Sequence, residues 1–315
     1  TRKRENFMQS VVLATSIAPF NIELQQAALA SWRDHGFEIL SVNSEAEVGI
    51  LRPHFPWVEF AVTRRSAQAL AGKPLVYFDD LLASLHDKAV SVCGIVNSDI
   101  HLRADSGYRS FVAREAVGSM VFGRRLEVSS LEGAGEASKY YWGFDVFFFD
   151  SRLISLFPPS VFCIGAPWWD YWAPLVVSLK SYPLKHLISP TALHVTHEAK
   201  WSEELVARFG QHLLSDVGFE LAAPEESGKR FPALASVVIM MQVLASATPI
   251  VYPSSASEAA QSSLANFPAS KVLREALDRL ERNSALGREA IVECQQMRAS
   301  LSWRLTAPVR TFKRA

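Results

Sequence analysis

The sequence predicts an α/β fold in which a largely parallel sheet is flanked by helices. Strand-like and helix-like segments alternate through the N-terminal third of the chain, and such alternation is typical of parallel strands joined by right-handed crossovers. Hydrophobic residues make up 49% of the 315 residues, which is ample for a buried core. The apolar run Val92–Val96 leads directly into the polar tripeptide Asn97-Ser98-Asp99. A polar strand end of this kind is where α/β sheets bind ligands.

The elements of the first half are defined by short apolar runs and by helix-ending residues. The first helix has an apolar face and is followed by Gly36, a usual terminator. The third helix has Pro74 in its first turn, where proline is favoured. Predicted strands cover residues 11–16, 38–43, 58–62 and 92–96, and predicted helices cover residues 22–35, 45–55 and 74–87.

Beyond Asp99 the alternation is less regular and the strands become more aromatic. Residues 143–150, GFDVFFFD, are the clearest example. Predicted strands cover residues 119–128, 143–150 and 193–196, and predicted helices cover residues 168–181 and 202–214.

Residues 233–252 carry no charge over about the length of a membrane span. Gln242 and Pro249 interrupt the apolar run, so a buried or subunit-facing helix is favoured over a span. Residues 270–301 repeat apolar side chains in steps of three and four. That spacing fits a coiled-coil seam and equally a long amphipathic helix packed on its own domain. The predicted divisions are a main domain of residues 1–220, a helical extension of residues 221–268 and a tail of residues 269–315.

Charge and cysteine content limit the partners and the compartment. Lys and Arg number 32, as do Asp and Glu, so no overall basic field favours nucleic acid. The three cysteines are far apart and form neither a zinc pattern nor a disulfide framework, which favours the reducing cytoplasm. The sequence begins with Thr1, and we expect it to be either a piece of a longer protein or a trimmed form of one. No GxGxxG or GxxxxGK[ST] motif is present, which disfavours a dinucleotide fold and a P-loop kinase.

Three carboxylates are candidate functional residues. Asp99 would lie at the rim of a binding crevice, where a carboxylate binds a hard divalent cation that in turn holds a diphosphate. The alternative is that Asn97 and Asp99 end the strand and cap a turn. Asp145 lies in an aromatic strand, where alternation directs it to the face of Phe147, so it needs a ligand or a partner such as Arg124 or Arg125. Asp170 begins a helix, where a carboxylate also acts as a cap.

These segments together resemble a GT-A fold glycosyltransferase. The residues that carry the resemblance are Asn97-Ser98-Asp99, GFDVFFFD, the segment PP…GAPWWDYW and the segment ALHVTH, within residues 11–214. The similarity is greatest to bacterial family-2-like enzymes of surface polysaccharide synthesis. Residues 302–310 are similar to the SWRxTAPxR element that recurs beside glycosyltransferase domains in multi-domain polysaccharide proteins. The resemblance implies a mixed sheet flanked by helices, with a C-terminal helical extension.

The resemblance also implies a Mn²⁺ or Mg²⁺ site. Asn97-Ser98-Asp99 occupies the place of the family's DxD motif, and Asp99 matches its last carboxylate. Asn97 departs from the first Asp, which removes a negative charge and implies weaker metal binding or an unusual donor. A further metal ligand is expected from His197, with His194 as the second choice. Because the two are three residues apart, only one would reach the site.

The remaining site residues are likewise implied by the resemblance. Asp170 matches the base that deprotonates the acceptor hydroxyl in inverting enzymes. Trp168 and Trp169 would stack on sugar rings, with core packing as the alternative, and Asp145 would bond the donor sugar or the acceptor. Residues matching the donor site are Thr15, Ser16, Asn43 and Glu45 for the base and ribose, with Arg64 and Lys73 for the diphosphate, although polar loop residues usually only face water.

The expected function is transfer of a sugar from a nucleotide-diphosphate sugar to a glycan or lipid-linked glycan acceptor in bacterial polysaccharide synthesis of the O-antigen or capsule type. The protein is expected in the cytoplasm or at the inner face of the plasma membrane, where it would associate peripherally with the membrane. The tail would join a second copy or a partner helix. Two alternatives stay open: a non-catalytic glycosyltransferase-like scaffold module, and a metal-dependent phosphoesterase or nucleotidyltransferase built from Asp99, His194 and His197. The second lacks the dense His/Asp clusters such sites usually carry.

Overall fold

The computed structural model describes residues 10–131, 139–196, 202–216, 239 and 243–253. The strands are β1 Val11–Thr15, β2 Glu38–Asn43, β3 Glu59–Val62, β4 Val92–Val96, β5 Ile100–Leu102, β6 Met120–Val128, β7 Lys139–Asp150, β8 Leu184–Leu187, β9 Ala192–Val195 and β10 Ala247–Ile250. The α-helices are α1 Ile22–Asp34, α2 Glu45–Leu51, α3 Gln68–Ala71, α4 Phe78–His86, α5 Tyr108–Ala116, α6 Trp169–Leu179 and α7 Glu203–Asp216, and a 3₁₀ helix covers Ser151–Leu156.

One mixed sheet joins all of these strands, in the order β10-β8-β6-β7-β4-β1-β2-β3, with β5 and β9 branching from β6. Strands β3, β2, β1 and β4 are mutually parallel, as the alternating sequence predicted. Strand β7 is antiparallel to both β4 and β6. The predicted α/β fold with a mixed sheet flanked by helices is confirmed.

The sheet is buried on both faces because its central strands are largely apolar. Val12 and Ala14 of β1 pack in one layer with α4, α6 and α7, whereas Val11 and Leu13 pack in the other with α1 and α5. Strands β4 and β7 come very close at Gly94, where a Cβ atom would lie 2.4 Å from the carbonyl oxygen of Phe147. Only glycine fits this contact.

Helix α1 covers the free edge of β5, the three-residue strand that follows Asn97-Ser98-Asp99. The Trp32 indole donates to the Ile100 carbonyl at 2.6 Å, and the Ser31 hydroxyl accepts from the Leu102 amide at 2.9 Å. The other edge of β5 pairs with β9. The outer backbone groups of this short strand are thus satisfied by side chains rather than by another strand.

Several elements differ from those predicted. Strands β5, β8 and β10 and helices α3 and α5 were not predicted. The predicted helix within residues 233–252 was wrong for its last part, because Ala247–Ile250 forms β10, an edge strand parallel to β8. Pro249 is tolerated there since an edge strand can lack one amide donor. This part of the predicted helical extension therefore belongs to the main sheet. Residues 270–301 and 302–310 lie outside the described residues.

No helix within the described ranges is both long enough and apolar enough to cross a bilayer.

Asp150 ties the end of β7 to the turn before β6. It accepts hydrogen bonds from the Gly118 amide at 2.7 Å and from the Arg152 amide at 3.0 Å, and its carboxylate pairs with the Arg152 guanidinium at 2.7 Å. The Arg152 side chain, together with these amides, lowers the pKa of Asp150 to about 2.

We expect Asp150→Asn to lower the free energy of unfolding at neutral pH by roughly 1–2 kcal/mol, because a charge-assisted set of bonds is lost. A lowered pKa stabilises the fold above the ordinary Asp value of 3.8 and ceases to do so as pH falls toward about 2. The deficit of the variant should therefore narrow below about pH 4 in urea titrations. Asp87→Asn, at an exposed carboxylate, is the control. A deficit independent of pH would contradict the assignment.

Candidate active site

Six side chains next to the end of β4 form a chain of polar contacts that the turn of residues 97–99 closes, here called the site ring. Asn97 donates to Asp145 at 2.5 Å, and Arg125 bonds Asp145 at 3.1 Å and Glu127 at 2.7 Å. His194 then links Glu127, at 2.8 Å from Nδ1, to Asp99, at 3.3 Å from Nε2. The ring members are Asn97, Asp99, Arg125, Glu127, Asp145 and His194.

The sheet topology brings these residues together. Strand β9 lies between β5 and β6, so His194 pairs in register with Ile100 on one side and with Glu127 on the other. Ile100 immediately follows Asp99. The branch of the sheet at β9 therefore places an imidazole between two carboxylates that are 28 positions apart in sequence.

A β-bulge sets the direction of Asp145. In the β6–β7 ladder Gly123 pairs with Val146 but Arg124 pairs with Phe144, which leaves Asp145 without a register partner. Phe144 and Phe147 consequently pack in one core layer, and Val146 packs in the other. The predicted simple alternation through Asp145 was wrong for this reason. Bulges commonly re-aim side chains beside functional sites.

Arg125 is the buried counter-ion of the ring. Its side chain is 16% exposed and that of Asp145 is 6% exposed. Burial alone lowers the pKa of Arg125, but the carboxylates of Asp145 and Glu127 outweigh this and raise the pKa above its ordinary value. Burial raises the pKa of Asp145, and one of its oxygens, Oδ2, is buried without a hydrogen-bond partner among the described residues. The contacts of Asp145 are thus one-sided: Oδ1 accepts hydrogen bonds from Asn97 and Arg125, and Oδ2 is buried without one among the described residues.

His194 is held between negative charges. Burial lowers the pKa of this imidazole, but its bonds to Asp99 and Glu127 prevail and raise the pKa to about 9. The side chain is only 4% exposed. The space beside Nε2 therefore favours a positive charge, supplied either by a proton or by a metal ion.

The residues present fit a divalent cation of the kind the resemblance implies. Asp99 Oδ2 and His194 Nε2 face each other, and His194 Nδ1 is held by Glu127, as in sites where a carboxylate orients a metal-binding histidine. Within the described residues no group of three or more His, Cys, Asp or Glu side chains forms a metal site. Two protein ligands suffice where phosphate oxygens and water complete the coordination of Mg²⁺. His197 lies outside the described residues.

Asp170, at the start of α6, lies close enough to Asp145 for the two carboxyl groups to interact electrostatically. Its Oδ2 accepts the Phe144 amide at 3.0 Å, which fixes the carboxylate against β7. Burial and the nearby charge of Asp145 raise the pKa of Asp170 to about 8. A carboxyl group with a pKa near neutrality is suited to proton transfer.

Trp168 and Trp169 pack in the core. They are 4% and 2% exposed, and the Trp168 indole donates to the Val206 carbonyl at 2.8 Å. Trp169 packs against Phe78 and Phe147. Neither ring presents a face to a sugar, so the structure contradicts the predicted stacking role and supports the alternative of core packing.

The predicted donor-binding residues lie at the ends of β1 and β2. The Thr15 hydroxyl is buried without a hydrogen-bond partner among the described residues. Asn43 is fully buried and holds the β1–α1 loop through a 2.8 Å bond to the Ile17 carbonyl, while it also contacts Ser16 at 3.4 Å. Glu45 is exposed in the first turn of α2.

The two predicted diphosphate ligands lie after β3. Arg64 is exposed, and Lys73 lines a cavity of about 300 Å³ together with Arg208 and Ser202. Sequence reasoning missed Glu127. The charged run Arg124-Arg125-Leu126-Glu127 within an apolar strand is the signal that could have found it, because buried charges need partners.

Comparison with solved structures finds distant likenesses. Mannosyltransferase PcManGT from Pyrobaculum calidifontis, in complex with GDP-Man and Mn²⁺, aligns over 94% of this chain and 87% of that chain, with 12% identity and a TM-score of 0.44. Rv0371C from Mycobacterium tuberculosis H37Rv, in complex with manganese, aligns over 61% and 94%, with 11% identity and a TM-score of 0.38.

Mannose-1-phosphate geranyltransferase from Thermus thermophilus aligns over 47% of this chain, with 12% identity and a TM-score of 0.31. This chain spans 59% of that protein, which is less than two thirds of its length. No family model matches the sequence, and no curated protein sequence matches it. Likeness at this level says nothing of substrate or activity, which depend on the residues of the site.

We expect Arg125→Leu to lower the free energy of unfolding by about 3–5 kcal/mol, because Asp145 and Glu127 would be left buried beside each other without their counter-ion. Urea denaturation measures the loss. Arg33→Leu is the matched control, since Arg33 is 51% exposed and pairs with an exposed Asp34; its loss should be at most about 1 kcal/mol. Equal losses in the two variants would contradict the role of Arg125.

Proposed function

We propose that the protein is a glycosyltransferase that takes a sugar from a nucleotide-diphosphate donor and transfers it to a hydroxyl of a glycan acceptor. The observation that carries the proposal is the Asp99–His194–Glu127 arrangement at the end of β4, with the Asp170 carboxyl group behind it. Ligands of α/β sheets bind at such strand ends. The ring would thus supply a cation site, and Asp170 would supply a proton acceptor beside it.

Asp99 and His194 would hold Mn²⁺ or Mg²⁺, and Glu127 would keep the imidazole in the orientation and tautomer needed. When bound, such an ion neutralises the charge that develops on the departing diphosphate. Asn97 contributes no charge of its own and instead holds Asp145 through its amide. This accounts for an Asn at the first position of the motif: it positions a carboxylate on a neighbouring strand.

Asp170 would accept the proton of the acceptor hydroxyl. Its pKa of about 8 is close to neutrality, which is the range in which a general base is effective. Such a base contributes roughly 10²–10⁴-fold to the rate. If Asp170 has this role, the sugar is transferred with inversion at the anomeric carbon, by way of a transition state with oxocarbenium character.

The donor would lie across the ends of β1 and β2. The unbonded Thr15 hydroxyl, together with Ser16, Asn43 and Glu45, would contact the base and ribose. Arg64 and Lys73 remain proposed ligands of the diphosphate. Asp145, through Oδ2, would bond the donor sugar or the acceptor, since a buried carboxylate oxygen requires a partner.

The wider setting is also part of the proposal. The acceptor would be a glycan or lipid-linked glycan of a bacterial surface polysaccharide, at the inner face of the plasma membrane. Residues 269–315 would join a second copy or a partner helix. Light scattering of the chain with and without residues 271–315 tests this association through the tail.

Binding of nucleotides tests the proposal directly. We expect UDP or GDP, rather than the monophosphate CMP, to bind in a Mn²⁺-dependent manner, and Asp99→Ala to abolish the Mn²⁺ dependence, because the variant lacks a cation ligand. Calorimetric titration of each nucleotide, with and without Mn²⁺, measures both effects.

Asp34→Ala is the matched control, because Asp34 is 71% exposed; it should bind as the wild type does. Failure of the wild type to bind any nucleotide would overturn the proposal and favour a non-catalytic scaffold module. Hydrolysis of simple phosphate esters without a sugar acceptor would favour a phosphoesterase.

Replacement of the proposed base separates chemistry from binding. We expect Asp170→Asn to abolish sugar transfer while the nucleotide affinity is unchanged, because the amide cannot accept the proton. In the wild type the rate should rise with pH through about 8, as the carboxylate forms. Release of nucleoside diphosphate from the donor, followed across pH, measures the rate. A variant that loses donor binding together with turnover would contradict this division of roles.

A further inference from the structure

Gln25, in the first half of α1, makes more side-chain contacts than a surface glutamine does. It is 4% exposed. Its Nε2 donates to the carbonyl oxygens of Ala18 at 2.9 Å and Phe20 at 2.6 Å. Its Oε1 accepts from the Ala18 amide at 2.8 Å and from the Ser98 hydroxyl at 2.8 Å. One buried amide group therefore contacts two separate segments of the chain.

The first segment is the loop of residues 17–21 between β1 and α1. Both backbone groups of Ala18 are bonded to Gln25, and Asn21 adopts a left-handed conformation with φ 52° before the helix begins. The loop has little regular structure of its own, so side chains hold its path: Ser41 and Asn43 bond Ile17, and Gln25 bonds Ala18 and Phe20. This loop follows Thr15 and Ser16 directly.

The second segment is the turn of residues 97–99. Ser98 lies between two members of the site ring, Asn97 and Asp99, and its hydroxyl is bonded to Gln25. The turn is closed by the Ile100 amide, which donates to the Asn97 carbonyl at 3.1 Å. The position of the turn decides where Asp99 faces His194.

We propose that Gln25 is a positioning residue that couples the loop of residues 17–21 to the turn of residues 97–99 through Ser98. A donor that orders the loop then favours the cation-binding position of Asp99, and a cation at Asp99 favours donor binding by the same factor. This consequence rests on the proposed function. The coupling between the loop and the turn does not rest on the proposed function, and the coupling can be measured without any ligand.

Hydrogen exchange in the ligand-free protein tests the coupling. The Ala18 and Ile100 amides report on the loop and on the turn. We expect Gln25→Leu to accelerate both by at least about five-fold, since each hydrogen bond lost is worth about that factor. Gln26→Leu is the matched control on the same helix, because the Gln26 side chain donates instead to the His54 carbonyl, at 2.8 Å.

Two variants of Ser98 serve as controls in case Gln25→Leu disturbs the fold as a whole. Ser98→Ala should accelerate the Ile100 amide and leave the Ala18 amide as in the wild type, because Gln25 still holds the loop. Ser98→Thr retains the hydroxyl and should restore protection at Ile100. The proposal would be overturned if the Ile100 amide exchanged at the wild-type rate in Gln25→Leu. If Gln25→Leu does not fold, a wild-type exchange rate of the Ile100 amide in Ser98→Ala would overturn it.

Ligand binding supplies the second measurement. The factor by which Mn²⁺ strengthens nucleotide binding should fall about five-fold in Ser98→Ala, recover in Ser98→Thr and remain unchanged in Gln26→Leu. An unchanged factor in Ser98→Ala would overturn the role of Gln25 in ligand coupling. If the wild type binds no nucleotide, the proposed function fails, and the exchange experiment alone decides whether Gln25 positions the turn.

Discussion

The balance of charge around Arg125 is the constraint on which the site depends. Three carboxylates, Asp99, Glu127 and Asp145, converge on a poorly solvated space, where each would be costly alone. Arg125 compensates two of them directly, and His194 bridges the third to Glu127. The arrangement needs β6, β7, β9 and the β4–β5 turn to be in register at once. A shift in the register of any one strand would leave a buried charge without compensation. The charge balance of the site therefore depends on the strand pairing, and the charged contacts in turn favour that pairing.

The fold was predictable where the sequence signal is local. Strands β2 and β4 begin and end at the predicted residues, because β4 is a continuous apolar run and β2 is a short apolar run bounded by Glu38 and Asn43. The missed strands depend on partners instead. Strand β5 is three residues long and exists because α1 and β9 satisfy its two edges. Strand β10 contains a proline and is recognisable only from its pairing with β8. Tertiary pairing of this kind leaves no periodic trace in the sequence.

Single candidate residues could be predicted from the sequence, but their arrangement could not. Asp99 was identified from its place after a buried strand, Asp145 from its charge in an aromatic strand and Asp170 from the resemblance, and the structure places Asp145 near each of the other two. The direction of Asp145 was not predictable, since a bulge breaks the alternation on which such a prediction relies. Between the two histidines the sequence favoured His197, whereas His194 is the one whose position the structure describes; its contacts follow from the branching of β9. Glu127 was missed because its contact with His194 depends on the pairing of β6 with β9, a strand that is remote in sequence.

The return of the chain to the sheet at β10 has a consequence for the integrity of the molecule. Tyr252 lies between Tyr108 and Phe111 and its hydroxyl bonds Asp105, so the segment after β10 is anchored to α5. A chain shortened after Asp216 would lose this anchor together with β10. The edge of β8 would then present unpaired backbone groups, which are a template for pairing with another copy. Removal of the segment that carries β10 would therefore favour self-association along the edge of β8.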